Sequence, residues 1–366
     1  MRILHLAVEN FAGIPMRLVQ EERRRGHESR LMTLLSPMQK YEEDIALHLP
    51  ALNLPQMKRL RRLVRGTPKA QILNIRHSGT AKHWQPANML DNMLFRLRDA
   101  LWQSQIRRTL KELGGLESFD RIIADGGHDF TRFPSLLAKT SVPITTIYYG
   151  SDMRTRGIIA GVQDKARQTF TFEYDHTLLF PTAQFLLYPY EVPDYAPSVV
   201  YAPPTSGEII RIGHAPTNRV GKGTEQILTA LKRLQKSFLM EIVLIEGLPH
   251  SEALRRKATC HLFIDQIGEL GYGVNSLESL AMGIPTAVEL MPDFERFLVN
   301  YCGEAHPFRN IRRSHLEADL RTVLESIKQW RDWGKAGKSW VERHHTVKAA
   351  VDAYLGKYTK QEINIR

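Results

Sequence analysis

Residues 209–235 read IIRIGHAPTNRVGKGTEQILTALKRLQ, and this stretch decides the fold class. It opens with the apolar run 209–213, which is typical of a buried strand, and then passes through a turn that contains proline and glycine. From Thr224 the apolar residues recur at helical spacing, which predicts a helix to Gln235. A strand, a turn and a helix in this order form the repeating unit of a doubly wound α/β domain with a parallel sheet.

The same alternation extends in both directions along the chain. Helices are predicted at about 16–26, 133–139 and 276–282. Short apolar runs predict further strands at 3–8, 30–35, 121–125, 144–149, 241–245, 261–265 and 284–288.

Several prolines lie within residues 189–204, so this stretch cannot form a helix. We predict that it connects two domains. We predict two doubly wound, Rossmann-like α/β domains that face each other across a cleft. The N-terminal domain would span 1–195 and the C-terminal domain 205–344. A C-terminal helix at about 345–366 is a candidate to pack back on the first domain.

Composition excludes several classes of protein. The 366 residues suit about two domains, and no apolar run approaches the ~18 to 20 residues of a membrane span. The N-terminus has no room for a signal-peptide core, and Cys260 and Cys302 offer no disulfide framework or four-cysteine zinc site. His344 and His345 are adjacent rather than one helical turn apart, so no metal site is predicted. The composition indicates a reduced, cytoplasmic protein.

One segment carries the net charge of +11. Residues 51–111 contain 13 lysines or arginines against only Asp91 and Asp99, so the rest of the chain is neutral. Such a patch predicts contact with an anionic membrane, nucleic acid or an acidic substrate, unless it is merely a solvated basic face. Nucleic acid is the remote alternative, because the segment has few aromatic residues for base stacking and no nucleic-acid motif.

Two cations lie in the turn of the opening stretch. Arg219 and Lys222 precede the helix that starts at Thr224, where free backbone N–H groups and the macrodipole already favour an anion. A diphosphate at this point would be neutralised by both side chains. The alternative is two solvated surface cations, the usual environment of lysine and arginine.

Residues 271–283, GYGVNSLESLAMG, contain a second turn before a helix. Its glycines free the turn, the helix N-terminus offers N–H groups to phosphate, and Glu278 can accept hydrogen bonds from a ribose diol. The structural alternative is a capping box with Asn275 as the N-cap and Glu278 completing it. A third turn, after the first strand, contains Gly13, which either lets a phosphate or sugar approach or merely permits the turn.

Short motifs, in order along the sequence, carry a resemblance that covers nearly the whole chain. They are RILHL, FAGIP and RGHES at the start, YGSDMR at 149–154, HAPTNR with KGT at 214–224, GYG with Leu277 and Glu278, and AMGIP at 281–285. They resemble the retaining GT-B glycosyltransferases, the large family-4-like group that uses nucleotide-sugar donors. The resemblance implies the GT-B architecture, with no cofactor and no metal, because cations and a helix N-terminus can stabilise the leaving diphosphate.

The resemblance also implies roles for residues of the C-terminal domain. Arg219 and Lys222 would bind the donor diphosphate, together with the backbone N–H groups of Ser276 and Leu277. Glu278 would bind the ribose.

Further roles fall on the N-terminal domain. Gly13 would approach the reacting phosphate or the acceptor. His128, in the sequence GGHD, would lie near the transferred sugar, with a locally bonded turn residue as the alternative. The cleft would be lined by Tyr149, Gly150, Ser151 and Asp152.

The chain departs from the family pattern at one position. The family carries two glutamates eight positions apart, and the first would fall on Leu270. Either Glu269 serves after a one-residue shift of the loop, or the donor sugar is held without that carboxylate. The second case includes a weakened or inactive enzyme.

The sequence therefore predicts a glycosyltransferase that moves a sugar from a nucleotide-diphosphate sugar to a glycan or lipid-linked acceptor. The resemblance implies retention of configuration and a role in cell-surface glycan or glycolipid synthesis. A sugar epimerase or an inactive GT-B relative is the alternative within the fold. The basic segment predicts peripheral binding to the inner face of the membrane.

Overall fold

The computed structural model describes residues 1–36, 40–49, 80–150, 152–191, 201–268 and 271–356. The chain divides into two compact units. The first comprises Met1–Leu187 and Val347–Arg366, and the second comprises Tyr188–Thr346. The chain thus enters the second unit ahead of the proline-rich connection, whereas the prolines suggested a boundary at 195.

A parallel sheet of seven strands forms the first unit. Its spatial order is β3-β2-β1-β4-β5-β6-β7, and every neighbouring pair is parallel. β4 and β5 are buried along their whole length, as expected for strands with both faces covered. The strands are β1 (Arg2–Ala7), β2 (Glu28–Thr33), β3 (Ile45–Ala46), β4 (Arg121–Asp125), β5 (Ile144–Tyr148), β6 (Ala166–Thr171) and β7 (Gln184–Phe185).

The second unit contains a parallel sheet of five strands. The strands are β8 (Ile210–His214), β9 (Met240–Leu244), β10 (Leu262–Ile264), β11 (Thr286–Val288) and β12 (Arg309–Asn310). Their spatial order is β12-β11-β10-β8-β9. Ile212 of β8 lies opposite Ile242 on one side and Leu262 on the other, so β8 and β10 are neighbours although they are distant in sequence.

Helices connect the strands in both units. The first unit contains α1 (Ile14–Arg24), α2 (Met89–Glu112), α3 (Ala160–Gln163) and α4 (Tyr174–Leu179). The second contains α5 (Arg219–Lys222), α6 (Thr224–Leu234), α7 (His250–Lys257), α8 (Val274–Ala281), α9 (Pro292–Cys302), α10 (Leu316–Glu325) and α11 (Trp330–His344). The last described helix, α12 (Val347–Leu355), belongs to the first unit.

Apolar side chains from the helices fill the space against each sheet. In the second unit Ile227 and Leu231 of α6 and Trp330 of α11 are fully buried in one cluster with strand residues. In the first unit Trp102 and Ile106 of α2 pack in the cluster that contains β1 and β4 side chains. These helical residues recur three or four positions apart, which is the spacing that places one face of a helix on a sheet.

Polar contacts attach α12 to the first unit. The Tyr354 hydroxyl donates to Glu22 of α1 at 2.7 Å, and the Arg121 guanidinium of β4 donates to the Tyr354 carbonyl at 2.7 Å. At the surface, Arg25 and Asp352 form an ion pair at 2.7 Å. The residues after 356 lie outside the described part of the chain.

The predicted helix at 133–139 is wrong. This segment forms turns after β4, because the buried Asp129 carboxylate accepts hydrogen bonds from the backbone N–H groups of Thr131, Leu136 and Leu137. Pro134 also removes a backbone donor within the segment. The side chain of Asp129 thus organises a loop where a helix was expected.

The strand order reverses once in each sheet. The first sheet reverses between β1 and β4, and the second reverses between β8 and β10. In open parallel sheets a ligand binds outside the carboxyl ends of the strands at such a switch point. The two reversals therefore define where a functional site is expected in each unit.

Candidate functional site

His214 ends β8 at the switch point of the second unit. Its Nδ1 lies 2.9 Å from the Ile264 carbonyl, and its Nε2 lies 2.9 Å from the Thr224 hydroxyl. A carbonyl can only accept, so Nδ1 carries the proton and Nε2 accepts from Thr224. Burial lowers the pKa of His214, and the imidazole is neutral. His214 therefore holds the start of α6 against the end of β10.

Lys222 and Asp265 meet at the same switch point. Lys222 Nζ lies 2.7 Å from Asp265 Oδ1 and also donates to Gln266. Asp265 Oδ2 accepts from the backbone N–H of Gly273 at 3.0 Å and from Ser276 Oγ at 2.7 Å. Burial by itself would raise the pKa of Asp265, but the Lys222 ammonium outweighs it and holds that pKa below its usual range. Asp265 thus joins a cation to the N-terminus of α8.

Gly273 places no side chain beside this pair. A Cβ built on Gly273 would lie 3.4 Å from Lys222 Nζ and 3.6 Å from Asp265 Oδ2. The glycine therefore keeps side-chain atoms out of the volume between the ammonium and the helix N-terminus. An anion placed there would meet both a cation and backbone donors.

Arg219 does not join Lys222 at this point. It lies at the start of α5 and forms ion pairs with Glu225 at 2.6 Å and Glu246 at 2.9 Å. Its side chain is 44% exposed, whereas that of Lys222 is 11% exposed. The two predicted diphosphate ligands thus lie on the same turn with different partners, and their roles stay predictions.

The N-terminus of α8 differs from the predicted cap. The helix starts at Val274 with Gly273 as the N-cap, so Asn275 is the second helical residue and the predicted capping box is wrong. The N–H groups of Ser276 and Leu277 both point to the Gly273 carbonyl, at 3.0 and 3.4 Å. The early helix start shifts the N–H groups that face outward to Val274 and Asn275.

Glu278 lies in the interior with two basic partners. Its Oε1 accepts from His250 Nε2 at 2.6 Å, and its Oε2 accepts from Lys257 Nζ. Burial opposes ionisation of Glu278, but Lys257 and His250 outweigh it and lower its pKa to about 2. Lys257 Nζ also reaches Asn275 Oδ1 at 2.9 Å, which links this group to the start of α8.

Sequence reasoning missed His250 and Lys257, whereas the stretch from Asp265 to Leu270 was a candidate for contact with the donor. His250 and Lys257 are seven residues apart and therefore lie on one face of α7, and Asp265 directly follows β10. A pair of basic residues at i and i+7, and an acid at the carboxyl end of a strand, are signals that the sequence does carry.

In the first unit, Gly13 closes the turn after β1. Its φ of +73° is in the left-handed region, and a Cβ there would lie 3.2 Å from the Tyr41 ring. Asn10 fixes the same turn, since its Oδ1 accepts from the backbone N–H of Met16 at 3.2 Å and its Nδ2 donates to the Glu42 carbonyl at 2.7 Å. The turn thus requires glycine for its own geometry, and a role toward a ligand stays a prediction.

His128 lies in the turn after β4, at the same switch point. It is 8% exposed, and its Nδ1 is buried with no hydrogen-bond partner in the described part of the chain. Gly127 positions it, because a Cβ on Gly127 would collide with the Tyr148 ring at 2.4 Å. Burial and the neighbouring Arg132, Arg156 and Arg98 hold the pKa of His128 well below its usual value, so the ring is neutral.

The segment after β5 contributes the predicted lining residues. Asp152 accepts from the backbone N–H groups of Tyr149 at 2.8 Å and Gly150 at 2.9 Å, which folds the loop back on the strand end. The Tyr149 hydroxyl donates to Asp125 at the end of β4. Ser151 lies outside the described residues, as do Glu269 and Leu270.

His5 forms a buried ionic group behind Asp125. Its Nδ1 lies 2.9 Å from Asp125, and its Nε2 lies 3.2 Å from Glu22. Burial alone would lower the pKa of His5, but the two carboxylates raise it to about 10, so the ring is an imidazolium. No local sequence pattern predicts this group, because its members come from three separate elements.

Metal ligands are not grouped within the described ranges. No set of three histidine, cysteine, aspartate or glutamate side chains is arranged there to hold a metal ion. Metal independence stays a prediction.

Two Rossmann-like units, each with a parallel sheet and polar residues at its switch point, define the class of protein. The chain has the GT-B fold. The predicted fold class is confirmed, and membership of the family-4-like group stays a prediction.

Solved structures share this fold at low sequence identity. The glycosyltransferase SnogD from Streptomyces nogalater matches with 14% identity and a TM-score of 0.50, covering 98% of this chain and 99% of its own. A Streptomyces glycosyltransferase complexed with thymidine diphosphate matches with 13% identity and a TM-score of 0.51, covering 97% and 99%. The UDP-GlcNAc 2-epimerase of Neisseria meningitidis bound to UDP-GlcNAc matches with 10% identity and a TM-score of 0.52, covering 97% and 100%. No protein-family model and no curated protein sequence matches the chain.

Proposed function

We propose that the second unit binds a nucleoside-diphosphate sugar and that the chain transfers its sugar to an acceptor. One observation carries the proposal: Lys222, Asp265 and the N-terminus of α8 meet at the switch point, with Gly273 placing no side chain beside them. A cation and open backbone N–H groups are what a diphosphate requires. Structural neighbours with the same fold hold thymidine diphosphate and UDP-GlcNAc, which supports this donor class.

The proposed roles follow from where the side chains lie. Lys222 neutralises the diphosphate as the bond between the sugar and the leaving phosphate breaks, and Arg219 assists from the outer side of the turn. The N–H groups of Val274 and Asn275 add donors. Ribose binding by Glu278 requires its carboxylate to exchange a bond with His250 or Lys257 for one with the sugar hydroxyls.

The acceptor side is assigned to the first unit. The resemblance places His128 near the transferred sugar and Gly13 near the reacting groups, with retention of configuration at the sugar carbon. Both residues border the switch point between β1 and β4, which supports that assignment. A role in glycan or glycolipid synthesis is part of the proposal.

Calorimetric titration with UDP and TDP tests the donor site. Lys222→Met should weaken the better nucleotide roughly tenfold to a hundredfold, the range of a lost charge-assisted hydrogen bond of ~1.5–3 kcal/mol. Lys232→Met on the outer face of α6 is the matched control and should bind as the parent does, because Lys232 is exposed. Equal binding by both variants would place the nucleotide elsewhere.

Epimerisation of a nucleotide sugar is the second candidate. The likeness to a UDP-GlcNAc 2-epimerase favours it, because that neighbour covers the chain as fully as the transferases do. Incubation with a nucleotide sugar and no acceptor separates the two. An isomerised sugar nucleotide supports the epimerase, whereas turnover that requires an acceptor supports the transferase.

The described part of the basic segment adds a membrane-binding face to the proposal. On α2, Met89, Met93, Leu97 and Leu101 recur every four residues and are between 57% and 90% exposed. The exposed face continues at Arg107, Arg108 and Lys111. An exposed apolar stripe followed by cations suits the interface of an anionic bilayer. In the described ranges, the length and hydropathy needed to cross a bilayer are not found together in any helix.

Vesicle sedimentation tests this face. Replacing both Leu97 and Leu101 with glutamine should reduce binding to anionic vesicles, and high salt should reduce binding of the parent chain. Leu239→Gln in the second unit is the control, because Leu239 is 61% exposed. Equal binding of the parent chain to neutral and anionic vesicles would contradict the proposal. So would a double variant that loses binding to nucleic acid but keeps its binding to anionic vesicles.

A further inference from the structure

Three arginines gather around His128 at the carboxyl edge of the first sheet. Arg132 follows β4 in the same loop, Arg156 follows β5, and Arg98 comes from α2. All three lie close enough to His128 to lower its pKa, and among the described residues no carboxylate raises it. Three separate segments thus bring positive charge to one ring.

Arg132 and Arg98 pack on aromatic rings. Arg132 Cζ lies 4.3 Å from the Trp84 ring and 5.4 Å from the Phe95 ring, and Arg98 Cζ lies 4.4 Å from the same Phe95 ring. Arg98 also pairs with Asp99. Two guanidinium groups therefore share one aromatic ring. Of the three arginines, only Arg98 forms an ion pair with a described residue.

Arg132 and Arg156 have neutral partners. Within the described ranges the Arg132 guanidinium has no carboxylate partner, and its Nε is buried without a hydrogen bond. Arg156 donates to two backbone carbonyls, those of Gly126 and Gly157. Burial, together with the charges of Arg98 and Arg156, outweighs the opposing charges of Asp129 and Asp99 and lowers the pKa of Arg132 to about 9.

Nearby acids use their oxygens elsewhere. Asp99 accepts from the backbone N–H groups of Arg132 and Phe133 at 2.6 and 2.8 Å. Asp129 accepts from backbone groups of its own loop, and Asp152 accepts from those of the loop after β5. These carboxylates shape the loops, so the guanidinium groups keep donors for a further anion.

We propose that His128, Arg132 and Arg156 bind the phosphate group of the second substrate, so that the acceptor is a phosphate ester. The clustered guanidinium donors match phosphate oxygens, and the neutral His128 ring offers its unpartnered Nδ1 as a further donor. Naming this ligand the acceptor rests on the proposed transferase function, whereas the anion site itself does not. The source is a soluble phosphate ester or the phosphate headgroup of a lipid.

Glycerol 3-phosphate is the probe for the soluble source, with glycerol as the neutral comparison. In calorimetry the parent chain should bind the phosphate ester and not glycerol. Arg132→Gln and Arg156→Gln should each weaken binding by about tenfold or more, as expected for lost charge-assisted bonds. Arg167→Gln is the matched control, because it removes the same charge from an exposed position of β6 in the same unit.

Vesicles of a neutral lipid, with and without phosphatidic acid, test the lipid source. Loss of binding in the Arg132 and Arg156 variants in either arm supports the site and identifies its source. Substitution of Arg132 also removes its packing on aromatic rings and could disturb the fold. Arg156→Lys avoids this, because it keeps the charge and loses only the paired N–H donors of the guanidinium, and it should also weaken binding. Thermal unfolding of each variant verifies the fold.

Two outcomes would overturn the proposal. One is binding that does not depend on Arg132 or Arg156 in either arm. The other is an equal loss in Lys222→Met, which would assign the phosphate ester to the second unit. A chain that binds glycerol 3-phosphate through these arginines but binds neither UDP nor TDP would keep the anion site and contradict the donor proposal.

Discussion

The two switch points differ in how their cations are compensated. In the second unit Lys222 and Arg219 already have carboxylate partners, Asp265 and Glu246. In the first unit Arg132 forms no ion pair within the described residues. It packs on the Trp84 ring, and the nearby Asp99 and Asp129 act on it only at longer range, against the charges of Arg98 and Arg156. A diphosphate in the second unit must therefore exchange with existing ion pairs, which favours selectivity, whereas an anion in the first unit supplies missing partners.

The buried ionic groups behind the two sites are opposite in composition. In the first unit one base, His5, lies between two carboxylates, Glu22 and Asp125. In the second unit one carboxylate, Glu278, lies between two bases, His250 and Lys257. Removal of the central group therefore leaves its buried partners without their counter-ion in either unit. The central groups have pKa shifts of opposite direction, raised for His5 and lowered for Glu278, so the two units should respond differently to pH.

The largest effect is expected for His5→Leu. This change leaves Glu22 and Asp125 buried without a cation, and loss of one partner of a buried pair costs ~3–5 kcal/mol. Hydrogen exchange should become faster in β1 and β4 and stay unchanged in β8 and β10. His83→Leu, at an exposed position of the same unit, is the control. Unchanged protection in β1 would show that the imidazolium contributes little.

Lys257→Met should destabilise the second unit by a smaller amount, about 2–3 kcal/mol, because His250 still partners Glu278. Arg255→Met, on the exposed side of α7, should change the free energy of unfolding by less than about 1 kcal/mol. The measurement is denaturant unfolding followed by exchange in β10 and α8. An equal effect of both substitutions would mean that the buried position of Lys257 does not matter.

The opposite composition predicts opposite pH responses. His5 has a raised pKa, so its stabilisation is complete below about 6.5 and is lost as the pH rises toward about 10. Glu278 has a lowered pKa, so its stabilisation is complete above about 4.5 and is lost as the pH falls toward about 2. Exchange profiles across this range should show the first unit loosening at alkaline pH and the second at acidic pH. If both units lost their protection from exchange at the same end of the pH range, the predicted difference between them would be wrong.

The smallest effect is expected for Arg219→Ala. Its pairs with Glu225 and Glu246 are exposed, so the unfolding midpoint should stay close to that of the parent chain. Affinity for the nucleotide should fall about threefold, less than in Lys222→Met, because solvent screens an exposed charge. Calorimetry on both variants gives the ranking, and a larger loss for Arg219→Ala would reverse the proposed roles.

Much of the fold could be predicted from the sequence because parallel strands are short apolar runs between helices. β4 begins and ends at the predicted residues, and the other predicted strands differ by one or two positions at their ends. β6 was missed, because Arg167 and Gln168 interrupt its apolar character at an exposed part of the strand. The loop at 133–139 was mistaken for a helix, since a buried aspartate that collects backbone donors has no periodic signature.

The candidate sites could be predicted only in part. Turns that follow strands are visible in sequence, and they led to Lys222 and Glu278, whereas the resemblance led to His128. The partners of these residues depend on contacts between distant segments, such as Lys257 with Glu278 or Arg156 with the β4 turn. No local pattern records such pairings, so the arginine cluster and the His5 group required the structure.

The position of α12 has a consequence for the order in which the protein is made. Tyr354 completes the polar group around Glu22, and its carbonyl accepts from Arg121 of β4. Both partners lie in the part of the first unit that is translated before residues 188–346. During synthesis on the ribosome, the second unit can therefore fold before α12, which completes the first unit, has been synthesised. Chaperones that act on a nascent chain would meet β4 and α1 with that polar surface uncovered.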